Sequence, residues 1–410
     1  YMKIVAFLPV KGVSERVENK NVALLDGKPL FMHTLEKLLE CEFIDEVYLD
    51  TESNEIIEIA KHLGHKVLLR DPILASNKTD GNKLFMNEVN LVHADVYIQI
   101  LCTSPFITKD KIAAAVKSVT DGEYDSAVLV RKEKQYTWTE SGPNYNLQSI
   151  PNSFDLPDTI IETMGLYVIS REAAIRDKKR VGLKPCHIEA TAVEAIDVNW
   201  PDDFFLAGLI ASGLREADRM LLQNLKHQLS SSMLSDLLDD QGYHTVINGF
   251  IPNIDDAKIF GRAKTLKIRK LQQGEDFRGI YKALDSYKTI VPNDVIIIEN
   301  EIGDYAYFGE LNASLAIRAG AIGTIVGGMT RDSSDVKKIG YPVFAKGVNC
   351  VDARGRATLG GINVPVTLEG VTIEAGDLVF ADKEGIVVIP RKIEGKILQS
   401  ALSVSIKEKS

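Results

Sequence analysis

The sequence predicts an α/β protein of two domains, and three observations carry that expectation. At 410 residues the chain is longer than one ordinary hydrophobic core accommodates. The first half alternates short apolar runs with segments whose apolar residues recur at helical spacing, which builds a parallel sheet covered by helices on both faces. The second half changes texture: apolar runs separated by Gly, Pro and Asp turns, with few helices, so a β-rich α/β domain.

In order along the first domain, "KIVAFLPV", "EVYLDT", "KVLLR", "VYIQIL", "SAVLVR" and "GLYVIS" read as strands. "LFMHTLEKLLEC", "NEIIEIAKHLG" and "KDKIAAAVKSVTDG" read as amphipathic helices between them. The domain is expected over residues 2–215, a helical connector over 216–229 and the second domain over 230–410. There "KTLKIRK", "DVIIIEN", "GTIVGG", "PVFAKG", "INVPVTLEGVTI", "DLVFADKEG" and "IVVIPR" read as strands, with a helix at "GELNASLAIRAG". In a parallel sheet ligands bind at the carboxyl ends of the strands, which is where the loop "LPVKGVSERVENKN" lies.

A net charge of −9 argues against a general nucleic-acid binder, because neutralising phosphates takes a basic surface. A small anionic substrate stays open, since only its pocket must be basic. No apolar run reaches the about 18 residues that a bilayer span requires. No leader is read before "KIVAFLPV", and Cys41, Cys102, Cys186 and Cys350 form no C-x-x-C, so reduced thiols in a cytoplasm are expected.

The opening loop has the composition of a phosphate cradle. Gly12 permits a tight turn, Ser14 offers a hydroxyl, and Lys11, Arg16 and Lys20 bring positive charge. An ordinary polar strand-to-helix loop fits the same residues. The pattern lacks both the P-loop and the dinucleotide-binding glycines. It resembles the signature I/L-P-A-R-G-G-S-K-G-I-P-x-K-N of the CMP-sugar synthetases, the acylneuraminate and 3-deoxy-manno-octulosonate cytidylyltransferases. Leu8, Pro9, Gly12, Ser14, Lys20 and Asn21 match; Lys11 replaces the first Arg, and Glu15-Arg16 replaces Lys-Gly. Four further blocks follow in the family's order: "LDGKPLFMHTLE", "LDTESNEIIEIAKHLGHKVLLRDPILASNKTDG", "LCTSPFI", and "GLYVIS" with "EAIDVNWPDDFFLA".

The resemblance implies a Rossmann-like nucleotidyltransferase sheet and transfer of CMP from CTP to a 2-keto-3-deoxy sugar acid, releasing pyrophosphate. By that analogy Lys20 and Arg16 hold the triphosphate as catalytic residues. Lys11, Gly12, Ser14, Asn21 and Ser104 bind the nucleotide, and Asp197 with Asn199 meets Mg²⁺ on the family's metal strand. The chain departs from the family in three places. Asn199 stands where a second carboxylate is usual, Leu101 and Cys102 replace Gln and Pro, and "PNSFDLPD" lacks the Arg and Gln that face the sugar.

In the second domain "FGELNASLAIRAGAIGTIVGGMTRD" places a helix start, a buried strand and an Arg-Asp pair together. An adjacent Arg and Asp also occur as a simple surface ion pair. The stretch, with "PVFAKG" and "INVPVTLEGVTIEAGDLVFADKEGIVVIP", resembles the family of metal-dependent 4-hydroxy-4-methyl-2-oxoglutarate aldolases and the regulator of ribonuclease activity A. The resemblance implies a domain of that type, in which Arg331 holds a pyruvyl carboxylate and Asp332 binds Mg²⁺ or Mn²⁺. Gly309, Glu310, Leu311 and Asn312 would complete the pyruvyl site, the amides of Leu311 and Asn312 facing the carboxylate. Asp236 and Asp382 are weaker candidates, each read more simply as a helix cap or a turn carboxylate.

A 2-keto-3-deoxy sugar acid is a pyruvyl unit joined to an aldehyde by an aldol bond, so the two resemblances point to one bifunctional enzyme. It would take CTP, a small sugar acid and Mg²⁺ or Mn²⁺, and assemble as a homo-oligomer, trimer or hexamer through the second domain. The alternative is a cytidylyltransferase for another acid acceptor, carrying a catalytically silent oligomerisation or regulatory domain.

Overall fold

The computed structural model describes residues 1–14 and 16–409, with side chains through 404; Glu15 of the opening loop lies outside the described residues. The chain forms two compact units, Tyr1–Ala211 and Ser212–Ser410, and the boundary falls within the helix Pro201–Lys226.

The first unit is built on a seven-stranded sheet in the spatial order Pro185–Glu189, Ser126–Glu133, Thr159–Ser170, Val96–Ile100, Ile4–Pro9, Glu46–Thr51, Lys66–Leu69. Strand Ile4–Pro9 is apolar throughout because both its faces are covered. Ala6 and Leu8 pack against helices Leu30–Leu39 and Lys109–Thr120, while Val5 and Phe7 face Gly81–Leu91 and Arg171–Asp177.

The wholly parallel sheet expected from the sequence needs correcting. Strand Thr159–Ser170 runs antiparallel to both its neighbours. The preceding residues 134–158 hold a two-residue hairpin pair and one short 3-10 turn but no α-helix. Without a crossover helix the returning strand meets its neighbour antiparallel. The strand Pro185–Glu189 and the helix Gly81–Leu91 are additions to the elements read from sequence. The segment 190–200 that carries Asp197 is irregular, so the expected metal strand is an extended loop held at Val198 by its N–H on Thr103 O at 2.8 Å.

The second unit is a mixed sheet centred on Ile259–Lys270, Asp294–Asn300 and Gly323–Val326, which are parallel to one another. Central residues alternate between two cores. Ile296 and Ile298 face the helix Glu310–Ala319 and the 3-10 stretch Phe277–Thr289; Val295 and Ile297 face the hairpin Val366–Leu368/Val371–Ile373. The terminal helix Glu394–Lys409 closes a third apolar layer with Ser231–Asp239. Asp382 accepts from the Ser231 N–H and hydroxyl at 3.0 and 2.7 Å, fastening that helix start to the sheet. Among the described residues no helix is long and apolar enough to cross a membrane.

Candidate active sites

In the first unit the opening loop follows the carboxyl end of Ile4–Pro9 and folds over the 197–200 segment. Lys20 is buried, 8% exposed, and its Nζ donates to Val198 O at 3.1 Å. Burial pulls its pKa down, and Arg16 and Lys11 add to that, while Cys102 and Asp197 oppose it. A lysine held there is directional, with one N–H committed and two left for a ligand. The Arg16 guanidinium sits 5.5 Å from the Trp200 ring centre, so the loop is fastened to the same segment from a second side.

Asn21 donates to Lys11 O at 2.8 Å and receives the Cys102 thiol at 3.4 Å. Burial pushes that thiol up to about 12, so it stays a neutral donor. Ser104 is buried beside Gly165, where a Cβ would come within 2.5 Å of its Oγ; that hydroxyl has no hydrogen-bond partner. Lys11 reaches Asn77 at 3.2 Å, and Ser14 is half-buried in the loop. The Gly12 N–H already donates to Glu52 Oε1 at 2.6 Å, and a Cβ at Gly12 would lie 2.8 Å from Ser53 Cβ. Gly12 is bare here for packing against the helix Asn54–Ala60, and its amide is occupied by a carboxylate.

Asp197 Oδ2 receives the Asn199 amide at 2.5 Å, and its Oδ1 is buried with no hydrogen-bond partner. An acceptor oxygen without a donor fits a cation. Asn199 turns its nitrogen, not its oxygen, toward that carboxylate. Asp203, which the sequence reading passed over, caps the following helix by accepting the N–H groups of Asn199 and Trp200 at 3.0 and 2.8 Å.

A buried polar chain runs beneath the strand ends and was not foreseen. Arg70 Nε donates to Glu52 Oε2 at 2.9 Å and its Nη1 lies 3.9 Å from Asp50. Asp50 adjoins Glu88, Gln99 donates to Glu88 at 3.0 Å, and Arg180 reaches Gln99 at 3.4 Å while stacking 4.0 Å over the Tyr167 ring. Glu88 is fully buried; burial and then the neighbouring Asp50 carboxylate hold its pKa well above the usual range. As two anions, Asp50 and Glu88 would offer each other no donor. With a proton on Glu88, its O–H satisfies Asp50, which remains the anion facing Arg70. Arg180 has no carboxylate within ion-pair distance among the described residues; its guanidinium is pressed against Gly81, where a Cβ would lie 2.8 Å away. One cation among the several charged residues of "DKKRVGLK" carries no signal for this placement.

In the second unit three segments converge, because Ala306 bridges both Met329 and Asp352. This brings Gly309 and Glu310 to Arg331 and Asp332. The Glu310 N–H donates to Asp332 Oδ2 at 3.1 Å, and Arg331 Nε is 3.9 Å from the same oxygen. Gly309 starts the helix Glu310–Ala319; a Cβ there would lie 2.5 Å from Asp332 Oδ2 and 3.2 Å from Arg331 Cγ. Two flanking residues take left-handed backbone, Phe308 at φ +110° and Asp332 at φ +55°, a conformation costing about 1–3 kcal/mol each. The surroundings impose it: Phe308 O accepts from Thr330 Oγ1 at 2.6 Å and Arg331 N at 3.1 Å.

Leu311 and Asn312 supply first-turn amides, which have no partner inside the helix. Asn312 Oδ1 accepts from Tyr287 at 3.0 Å. Arg331 Nη2 contacts Asp352 at 2.7 Å, a partner the sequence reading missed although it lies seven residues past the "PVFA" strand in "CVDARGR". Asp332 is 43% exposed at its side chain, suited to a cation that keeps most of its water. Among the described residues no three His, Cys, Asp or Glu cluster as a closed metal cage.

Known proteins resemble each unit separately. The Cytidylyltransferase family model matches residues 5–151 and the Aldolase/RraA model residues 231–388. Protein DlpA of Legionella pneumophila is 30% identical over 48% of this chain and 32% of its own length. A putative 4-hydroxy-4-methyl-2-oxoglutarate aldolase of Halalkalibacterium halodurans is 30% identical over 42% of this chain and 78% of its own. N-acylneuraminate cytidylyltransferase B of Danio rerio is 24% identical over 48% and 49%. The chain therefore spans about a third of the first and half of the third. Its second unit belongs to the Aldolase/RraA family, and its first carries the match to the Cytidylyltransferase model.

Proposed function

We propose that the protein is a bifunctional cytoplasmic enzyme. Its first unit transfers CMP from CTP to a 2-keto-3-deoxy sugar acid of the nonulosonate type; its second performs metal-dependent pyruvyl aldol or decarboxylation chemistry. The observation that carries the first half is the convergence of buried Lys20, Arg16 and the orphaned Asp197 oxygen on one loop. The name of the Danio rerio relative points to the same acceptor class.

In the reaction the acceptor hydroxyl oxygen attacks the α-phosphorus of CTP and the α–β bridging bond breaks. Pyrophosphate leaves and the hydroxyl proton is released. Such a transfer depends on positioning and on neutralising charge. Lys20 and Arg16 hold the triphosphate, and Asn21 and Ser104 face the nucleoside. Asp197 would hold Mg²⁺, which when bound supplies further neutralisation of phosphate charge. The cation absent from "PNSFDLPD" is available from Arg180, whose face on Tyr167 leaves its edge for an acceptor carboxylate.

In the second unit Arg331 and the Leu311 and Asn312 amides hold a pyruvyl carboxylate, and Glu310 orients water. Asp332 would hold Mg²⁺ or Mn²⁺, which when bound supplies Lewis-acid polarisation of a 2-keto oxygen. Assembly as a homo-oligomer, trimer or hexamer, is part of this reading.

The test is pyrophosphate release from CTP and Mg²⁺ across a panel of 2-keto-3-deoxy sugar acids. Release with at least one acid, lost in Lys20→Ala, is expected. Release with none of them sinks the acceptor class. Oxaloacetate decarboxylation, with Arg331→Ala as control, tests the second unit.

A further inference from the structure

The guanidinium proposed to receive the keto-acid carboxylate already holds another one. Arg331 Nη2 lies 2.7 Å from Asp352 Oδ2. Asp352 is itself fixed: its Oδ1 accepts the Arg354 N–H at 2.8 Å, and its backbone bridges Ala306. The Val351 carbonyl accepts the Ala306 N–H at 2.9 Å, and the Ala306 carbonyl accepts the Ala353 N–H at 2.9 Å. The Asp352 carboxylate is therefore presented to Arg331 by the same three-segment junction that presents Gly309 and Asp332.

A carboxylate on an arginine edge is the contact a 2-keto acid makes with the same fork. One N–H does not serve two carboxylates at full strength, and two anions side by side repel. We propose that Asp352 is a resident competitor for the Arg331 fork, displaced from Nη2 by the carboxylate of a 2-keto acid, and that it sets the affinity and selectivity of the site. The inference rests on reading Arg331 as the carboxylate-binding group. An anion that makes only the arginine contact gains nothing over Asp352. One that also reaches the amides of Leu311 and Asn312 does, so Asp352 selects against simple anions. Asp332 is the other carboxylate beside Arg331, but it faces Nε and is tied to the Glu310 N–H. It leaves Nη2 to Asp352.

The experiment is calorimetric titration of pyruvate into the full chain with saturating Mg²⁺, for wild type, Asp352→Asn, Asp352→Glu and Arg331→Ala. Asparagine keeps the shape and the acceptor for the Arg354 N–H but removes the charge. A partly exposed ion pair is worth little, so Asp352→Asn is expected to bind pyruvate about two- to fivefold more tightly. The gain should shrink toward 1 M NaCl, where the screening length falls to about 3 Å. Asp352→Glu, which keeps a competing carboxylate, should bind like wild type. Acetate, as a simple anion, should gain more from Asp352→Asn than pyruvate does, and an equal gain overturns the selectivity.

Equal or weaker pyruvate binding by Asp352→Asn, with binding lost in Arg331→Ala, overturns the competition and leaves the pyruvyl site standing. Undiminished binding by Arg331→Ala overturns the pyruvyl reading itself. No pyruvate binding by wild type overturns both.

Discussion

Gly309 shows how one absent carbon holds a site together. Its φ is −138°, open to any residue, so glycine is required for space and not for backbone freedom. A Cβ would intrude on both Asp332 and Arg331, and overpacking of this kind costs about 1–3 kcal/mol. Gly309→Ala should fold, with a small loss in Tm, yet lose at least tenfold in pyruvate affinity, measured by calorimetry beside a thermal melt. Asn199 offers the opposite experiment. Asn199→Asp restores a second carboxylate beside the unpartnered Asp197 oxygen. If both residues meet the cation, half-maximal pyrophosphate release should need roughly fivefold less Mg²⁺, the equivalent of about 1 kcal/mol. An unchanged Mg²⁺ requirement would remove Asn199 from the metal site.

The strands Glu46–Thr51 and Val96–Ile100 and the helix Gly81–Leu91 share a buried carboxylic acid, and that sharing has a pH signature. An unfolded Glu88 ionises near its ordinary value of 4.5, while burial keeps the folded one protonated. Between those two values the native state binds more protons than the unfolded one, so stability falls as pH rises above about 4.5. Asp50 is shifted in the same direction, chiefly by burial. Glutamine mimics the protonated acid, donating to Asp50 and accepting from Gln99. Glu88→Gln should match wild type near pH 4.5 and gain on it as pH rises, by at most about 1.4 kcal/mol per pH unit, in urea unfolding monitored across pH. A constant difference at all pH values would show that Glu88 is ionised in the fold. The same residue explains why this helix escaped the sequence reading. Its buried face is Phe85, Glu88 and Val89, and a carboxyl at a core position breaks the apolar period. Strand Pro185–Glu189 was missed for a related reason: a half-exposed edge strand of Pro, Cys, His, Ile and Glu has no alternation to detect.

The molecule carries two candidate sites built from residues of different units, which makes their separation testable. Lys20→Ala is expected to abolish pyrophosphate release and leave pyruvate binding unchanged. Arg331→Ala is expected to do the reverse. Both activities measured on one preparation of each variant decide it; loss of both in either variant would mean that the units depend on one another for folding or function. Removal of divalent metal by chelation should stop pyrophosphate release and oxaloacetate decarboxylation alike, and Mg²⁺ should restore the first.

Sequence alone determined the two-part α/β organisation, most strands, the phosphate-loop candidates and the Arg331-Asp332 pair. Those signals are local: apolar periodicity, glycine and proline punctuation, and motif spacing act within about ten residues of one another. Tertiary structure decided the rest. It turned Thr159–Ser170 antiparallel, gave the Gly12 amide to Glu52 and set Lys20 on Val198 from 178 residues away. It also joined Arg70, Asp50, Glu88, Gln99 and Arg180 into one buried chain and placed Asp352 on Arg331. Each of these is a charge or hydrogen-bond partner supplied by a distant segment. A buried polar group must be satisfied by whatever the fold brings beside it, and no local pattern encodes which residue that is.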